Sequence, residues 1–383
     1  MRAIALPSPF ALERAATTGV FFANGLGIGA WAAAIPRLSD ALALSEGRLS
    51  LVLLAFAAGA VTAMPLVGLA AARLDTGRTT AAAGLAFAAA LATLPLAGGL
   101  AALCLLAFAT GAANGTVDVA MNAHASGLEV RRGRPIMSSF HAAFSLGGFA
   151  GAVLGAAFAG LGDAAGLWGP ALIAAAVVAA GAPHLRGGAP APGHGTPLAL
   201  PRRAMLGLCA AALACMLVEG AMADWSAVYL ATVGGAGRAA AAGYAAFSLC
   251  MLAGRLTGDR LLHALGAPRV VLAGGTLAAA GLALAAAMPG PVPASIGFGL
   301  VGLGLANVVP AVFSAAARQG GPAAAGVAMA ATAGYGGFLL GPPVIGLIAS
   351  GAGLRTGILV LAGAAAAVAM LASSVRKTDN PPN

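Results

Sequence analysis

The stretch LCLLAFATGAANGTVDVAMN, from Leu103 to Asn122, contains a single charged residue, Asp118. A helix of about 20 predominantly apolar residues is long enough to cross the hydrocarbon core of a bilayer. Similar stretches recur along the whole chain of 383 residues. They predict an all-α membrane protein with twelve spans, at approximately 14–36, 48–72, 79–98, 100–123, 136–160, 166–183, 204–231, 240–262, 268–288, 292–317, 324–349 and 354–374.

The composition excludes a soluble globular domain. Hydrophobic residues make up 60% of the chain and charged residues only 8%, whereas soluble domains carry about 25% charged residues. The four cysteines lie inside apolar runs without metal-ligand spacing, so they predict no metal site. No Gly-rich run ends in Gly-Lys-Ser/Thr, His-Glu-x-x-His is missing, and no Gly-x-Ser-x-Gly is followed by a plausible triad. We therefore expect no ATP-driven pump, no enzyme and no cofactor.

The basic residues are distributed unevenly between the two sides of the predicted bundle. With a cytoplasmic N-terminus, sixteen of the 20 Lys and Arg residues fall in inward loops and tails, and the outward loops hold only Arg37, Arg48, Arg238 and Arg355. Because cytoplasmic loops carry an excess of basic residues, we expect a multi-pass protein of the cell inner (plasma) membrane with both termini cytoplasmic. We also expect the first span to be retained, since its apolar run exceeds that of a cleaved signal peptide. The same distribution explains the net charge of +9 without a nucleic-acid partner.

A polar segment rich in Pro and Gly, from about 184 to 203, divides the chain into two parts, 1–183 and 204–383. The two parts share an internal repeat. The run Gly-Gly-Phe at 147–149 matches the run at 336–338, and Gly111-x-x-Asn114 matches Gly304-x-x-Asn307. We predict two six-helix bundles joined by a cytoplasmic linker and related by a pseudo-two-fold axis, with the functional site between them.

The loop after the eighth predicted span reads GRLTGDRLLHALGAPR, over residues 254–269. It resembles the signature loop of the major facilitator superfamily, which follows the second helix of each six-helix half. The first-half copy is degenerate, with Ala72 at the aspartate position and Asp75 displaced. The resemblance implies the twelve-helix transporter fold and a cytoplasmic gate at Gly254, Arg255, Gly258, Asp259 and Arg260.

A narrower resemblance is carried by the segments NGTVDVAMNAHA, GRPIMSSFHAAFSLGG and EGAMADWSAVYL, which begin at residues 114, 133 and 219. Together they are similar to an uncharacterised bacterial inner-membrane group near the fucose permease branch of the superfamily. Asp118, four residues before Asn122, occupies the position of a proton-coupling glutamate in that branch, which implies the same role here. The branch also has an essential aspartate late in span 1. This chain has Trp31 followed by three alanines there, so the resemblance does not carry over the sugar.

Three acids lie deep inside predicted spans: Asp118, Glu219 and Asp224. An acid at a helix centre costs about 2.5–3.5 kcal/mol on insertion, so acids in such positions are functional candidates. Asn114, Asp118 and Asn122 are four residues apart and form one stripe on their helix. This stripe must face the bundle interior or a water-filled cavity. It either binds a solute or holds helices together through hydrogen bonds.

His141 lies in span 5 at a depth similar to that of Asp118 in span 4, and packing of adjacent helices would bring the two into hydrogen-bonding reach. Such a pair would form a proton relay, because low dielectric favours a neutral carboxyl and imidazole exchanges its proton near neutral pH. The alternative is a histidine that donates to a backbone carbonyl. Glu219 and Asp224 are about 140° apart on a helix, so both cannot point directly into one cavity. We assign Glu219 to the central cavity, and Asp224 either lines it or caps a break in span 7.

The function expected from these features is secondary active transport, with a small polar solute and protons moving in symport. The sequence also allows drug or metabolite/proton antiport, although span 5 lacks the Gly-Pro element usual in antiporters of this superfamily, and it allows a non-transporting membrane sensor. The expected partners are the solute, protons and the lipid bilayer, and the chain is expected to be a monomer. Amides and aromatic rings either contact the solute or, for aromatics at helix ends, anchor the helix at the membrane interface. The remaining candidates for the substrate cavity are Asn24, Trp31, Asn114, Asn122, Trp225, Tyr244, Asn307 and Tyr335.

Overall fold

The computed structural model describes residues 8–71, 75–133, 136–185, 205–234, 237–318 and 323–376. Within these ranges the chain forms helices and no strand, and twelve helical segments are long and apolar enough to cross a membrane. The predicted all-α fold with twelve spans is therefore confirmed. The α-helices are α1 (Pro9–Ala41), α2 (Glu46–Ala71), α3 (Thr76–Thr93), α4 (Leu100–Arg132), α5 (Met137–Phe158), α6 (Ala165–Gly181), α7 (Leu206–Thr232), α8 (Ala242–Leu265), α9 (Ala267–Ala287), α10 (Pro291–Leu305), α11 (Val308–Arg318), α12 (Ala323–Ala352) and α13 (Leu354–Met370).

Local sequence explains where several helices begin and end. Ser8 caps α1 by accepting a backbone N–H from its first turn at 3.2 Å. Asp75, the displaced acid of the degenerate first-half loop, caps α3 by accepting the Arg78 N–H at 2.8 Å. The helix α4 continues to Arg132, past the predicted end of its span at 123, and stops where Gly133 adopts a φ of 65°. The span was predicted from apolar residues, and the last turns of α4 are polar.

Glycines allow the closest helix pairs in both halves of the sequence. A Cβ on Gly29 of α1 would lie 2.0 Å from the carbonyl oxygen of Gly148 in α5. A Cβ on Gly337 of α12 would lie 2.4 Å from the carbonyl oxygen of Leu213 in α7. Small residues at helix crossings let the backbones approach in this way. The pairs α1/α5 and α7/α12 occupy matching places in the sequence repeat.

The tenth span is broken into α10 and α11 at Ala306 and Asn307. The Asn307 amide donates to the Gly254 carbonyl oxygen of α8 at 3.0 Å. A Cβ on Gly258 would lie 1.9 Å from the Asn307 side-chain oxygen, so glycine makes room for this amide. Of the two alternatives for Asp224, the cap of a break in span 7 is not found: α7 is one continuous helix, and Asp224 lies within it.

The most extensive contacts between the first six spans and the last six are those of α5 along α8 and of α2 along α12, and α1 also contacts α7. A Cβ on Gly346 of α12 would lie 2.1 Å from the Ser50 Cβ of α2, and one on Gly148 of α5 would lie 2.9 Å from the Ser248 hydroxyl of α8. A cavity lies between these contacts. The linker predicted at 184–203 falls, after residue 185, outside the described residues, as does Ala72.

Candidate substrate cavity

The cavity has a volume of about 210 Å³ and is lined from both halves of the sequence, by α1, α2, α4 and α5 and by α7, α8 and α12. Its wall combines aromatic rings with a small set of polar side chains, a mixture typical of sites for small molecules. The aromatic rings include Phe56, Phe144, Phe247 and Phe338. The polar side chains are Asn24, Asn114, Asp118, Ser145, Glu219, Asp224, Tyr244, Ser248, Arg255 and Tyr335.

Asp118 links the two halves through a hydrogen bond inside the cavity. Its Oδ2 accepts the hydroxyl proton of Tyr335, which lies in α12, at 3.1 Å. Its Oδ1 accepts from the Asn122 amide at 3.1 Å, and the same amide donates to the Asp118 carbonyl oxygen at 2.8 Å. Asn114 and Asp118 of the predicted stripe line the cavity. Asn122 does not line it and instead donates to the Asp118 carboxylate.

His141 does not join Asp118. Among the described residues no hydrogen bond connects the two, and the His141 ring packs edge-on against Phe21 with 5.4 Å between ring centroids. The reason lies in the helix neighbours: α4 packs mainly against α2 and α3, whereas α5 packs against α1 and α8. Spans 4 and 5 are consecutive in sequence but are not close partners in space, so the expected Asp–His relay lacks its geometry.

Arg255 was predicted from the signature loop as a gate residue, and it lies in the cavity wall. Its Nη1 donates to the Ser145 hydroxyl oxygen at 2.7 Å and to the His141 carbonyl oxygen at 3.1 Å, both on α5. Glu219 lines the same cavity. The guanidinium therefore fastens α8 to the first half of the chain. Neither its spacing nor the resemblance indicated this role.

Of the other four predicted gate residues, the two glycines pack against the tenth span and the two charged residues are exposed. Gly254 and Gly258 accommodate the broken tenth span, as described above. Asp259 and Arg260 are exposed near the end of α8. The ion pairs found in the described part of the chain involve Glu13 and do not include either residue.

Glu219 and Asp224 both line the cavity, although they lie about 140° apart on their helix. Gly220 and Ala223 line it as well, which means that the cavity occupies the whole arc of about 140° between the two acids. Glu219 accepts a weak hydrogen bond from the Cys215 thiol, with 3.5 Å between sulfur and oxygen. Within the described ranges, no hydrogen bond or ion pair is recorded for the Asp224 carboxylate.

Four of the predicted cavity residues do not line it: Asn122, described above, and the three that lie behind its wall. Trp31 is buried and stacks on Phe56, with 5.5 Å between centroids. Trp225 is also fully buried in the helix bundle, and Asn307 is occupied by its bond to α8. Tyr244 and Tyr335, in contrast, do line the cavity. Sequence position could not tell the residues that line the cavity from those behind it, because both kinds lie in spans that form the cavity wall or pack directly behind it.

A cavity lined by both halves of a twelve-span helical protein, with polar groups set among apolar ones, is typical of a membrane transporter. The family model of the Major Facilitator Superfamily matches residues 17–338, and the chain belongs to that family. It is 36% identical to an uncharacterized MFS-type transporter of Yersinia pestis over 341 residues, which cover 88% of this chain and 89% of the relative. It is 34% identical to the membrane protein MosC of Rhizobium meliloti over 349 residues, covering 89% of this chain and 84% of MosC.

Solved transporter structures share the fold. A mutant of the nucleoside transporter NupG aligns with a TM-score of 0.74 and 15% identity, covering 96% of this chain and 100% of the other. A bacterial homologue of the lysosomal transporter Spinster, in an inward-facing and occupied conformation, aligns with a TM-score of 0.70 and 15% identity, covering 95% and 98%. At this level of identity the likeness establishes the fold and leaves the solute open.

Proposed function

We propose that the chain carries a small polar solute, in the range of sugars, across the inner membrane in symport with protons. Transport proceeds by alternating access to the cavity between two six-helix halves, residues 1–183 and 204–383, and the protein works as a monomer. Both termini and the linker at 184–203 face the cytoplasm, in keeping with the sixteen basic residues assigned to that side.

The observation that carries the proposal is the hydrogen bond between Asp118 of α4 and Tyr335 of α12. As a carboxylate, Asp118 accepts a charge-assisted hydrogen bond, which is roughly twice as strong as a neutral one. Protonation removes that assistance, so a proton on Asp118 weakens the link between the halves. The same acid thus binds the proton and controls a contact that must break when the cavity opens on the α12 side.

The size of the cavity supports a small solute. Its volume of about 210 Å³ lies below the range of about 300–1,000 Å³ found for pockets that hold drug-sized ligands. This favours a metabolite over a large drug as the cargo. A metabolite/proton antiporter would use the same groups, and the direction of the solute flux under an imposed pH gradient separates the two modes.

The test compares accumulation with exchange in the same proteoliposomes. A thermal-shift panel of sugars, sugar acids and amines first identifies the solute, because ligands that bind the native state raise its apparent stability. Asp118→Asn mimics the protonated acid, so it should abolish pH-driven accumulation and retain solute counterflow. Glu219→Gln should weaken solute binding instead. Asp40→Asn, which changes an exposed acid outside the cavity, is the matched control and should leave both measurements unchanged. Full pH-driven accumulation by Asp118→Asn would end the coupling proposal.

A further inference from the structure

The cavity presents hydrogen-bond acceptors that no group in the described part of the chain satisfies. The side-chain oxygen of Asn24 has no partner although the residue is only 3% exposed, and the side-chain oxygen of Asn114 is likewise buried and unpaired. Both side chains line the cavity, as does Asp224, whose carboxylate has no recorded partner among the described residues. A buried acceptor without a partner is unfavourable. A ligand that brings donors to these oxygens would remove that penalty.

The principal cationic and hydroxyl donors of the cavity are already occupied. Arg255 donates through Nη1 to the Ser145 hydroxyl oxygen and to the His141 carbonyl oxygen. The Tyr335 hydroxyl donates to Asp118. An anionic solute would therefore compete with these groups for the donors of the cavity. A donor-bearing solute would find its partners free.

The cavity wall carries more acidic than basic side chains, which also favours a cationic solute over an anionic one. Three carboxyl groups, from Asp118, Glu219 and Asp224, share the wall with one guanidinium. Asp118 accepts from two donors and Glu219 accepts from the Cys215 thiol, so Asp224 is the acid of these three for which the described residues provide no partner. Four phenylalanine rings line the same space, and the faces of aromatic rings attract cations. An ammonium group satisfies both the free carboxylate and the aromatic wall.

We propose that the cavity selects a small hydroxylated solute that carries an ammonium group, with the ammonium at Asp224 and hydroxyl donors at Asn24 and Asn114. This inference rests on the proposed function in one respect, since it takes the cavity to be the solute site. It adds the chemical class of the solute. Nucleosides and neutral or acidic sugars, which lack the cation, would bind more weakly.

The experiment measures equilibrium binding to the purified full-length protein with four probes built on one ring. Glucosamine carries the ammonium group, N-acetylglucosamine has it neutralised, glucose lacks it, and glucuronate replaces it with the opposite charge. We expect glucosamine to bind at least tenfold more tightly than the other three. Asp224→Asn should remove that preference, Asp224→Glu should restore part of it, and Asp163→Asn, which alters an exposed acid, should leave it intact.

The outcomes separate this inference from the proposed function. Glucose or glucuronate binding as tightly as glucosamine overturns the inference, and so does the absence of any amine preference across the four probes. Transport of a neutral or acidic solute with protons would support the proposed function while the inference fails. Glucosamine binding that depends on Asp224 without proton-driven uptake would leave the inference standing and remove the proposed function.

Discussion

The hydrogen bond from Arg255 to Ser145 joins α8 to α5, and its removal should shift the equilibrium between the two arrangements of the halves. Ser145→Ala deletes the acceptor of the 2.7 Å bond and leaves the bond to the His141 carbonyl oxygen in place. The alanine methyl group cannot accept the Arg255 N–H in place of the hydroxyl oxygen. The variant should therefore favour states in which α5 and α8 have separated.

The magnitude follows from the charge on the donor. A hydrogen bond to a charged group contributes about 1.5–3 kcal/mol, and each 1.4 kcal/mol or so corresponds to a factor of ten in an equilibrium constant. Since Arg255 keeps one of its two bonds to α5, we expect the lower end of this range. The ratio of separated to packed molecules should rise roughly tenfold.

Spin labels at Ser138 of α5 and Leu261 of α8, both exposed, would report the distance between the helices in each population. Thr257→Val is the matched control, because the Thr257 hydroxyl bonds only to carbonyl oxygens of its own helix, α8. The control should leave the distance distribution unchanged. An unchanged distribution in Ser145→Ala would refute the role assigned to Arg255.

Three further changes test other parts of the molecule. Asp259→Asn should slow turnover in a transport assay and keep equilibrium solute binding within a few-fold, as expected of a gate contact made in the alternative state; unchanged turnover would remove the gate role. Gly151→Ala places a Cβ 2.0 Å from a backbone oxygen of α1, so it should cost about 1–3 kcal/mol of stability. A thermal melt would detect this loss, and Gly363→Ala, where the space is open, should melt like the parent. Glu13→Gln removes the buried charge that pairs with Arg131 at 2.6 Å, and a melting temperature equal to that of the parent would contradict a stabilising role for that pair.

The number and approximate limits of the spans could be predicted from the sequence because lipid imposes one requirement on every spanning helix. About 20 apolar residues are needed in each, and that pattern is visible without any tertiary information. The ends were less predictable. The helix α4 reaches Arg132 through turns that are too polar to count as membrane-spanning, and it ends at a glycine with positive φ, a feature of the backbone rather than of hydrophobicity.

Neighbouring helices could not be read from the order of the spans. The expected Asp118–His141 pair assumed that spans 4 and 5 pack together, and the partner of Asp118 is instead Tyr335, from the other half of the chain. Helical spacing fixes the direction of a side chain on its own helix and says nothing about which helix it meets. The same limit applies to Arg255. The loop motif predicted a gate residue, and the structure shows that its side chain donates to Ser145 of α5.

The two polar links between the halves differ in what can break them. Arg255 keeps its charge throughout the physiological pH range, so its link to α5 is weakened by a group that competes for the guanidinium, and Glu219 lines the same cavity. The link from Asp118 to Tyr335 weakens when Asp118 takes up a proton. A ligand shifts an equilibrium only by its differential affinity for the two states. Under the proposed mechanism, a proton therefore loosens the α12 side alone, and a solute that changes the balance between Glu219 and Arg255 acts on the α8 side. The movements of proton and solute would then be coupled, because neither of them alone releases the contacts on both the α12 side and the α8 side of the cavity.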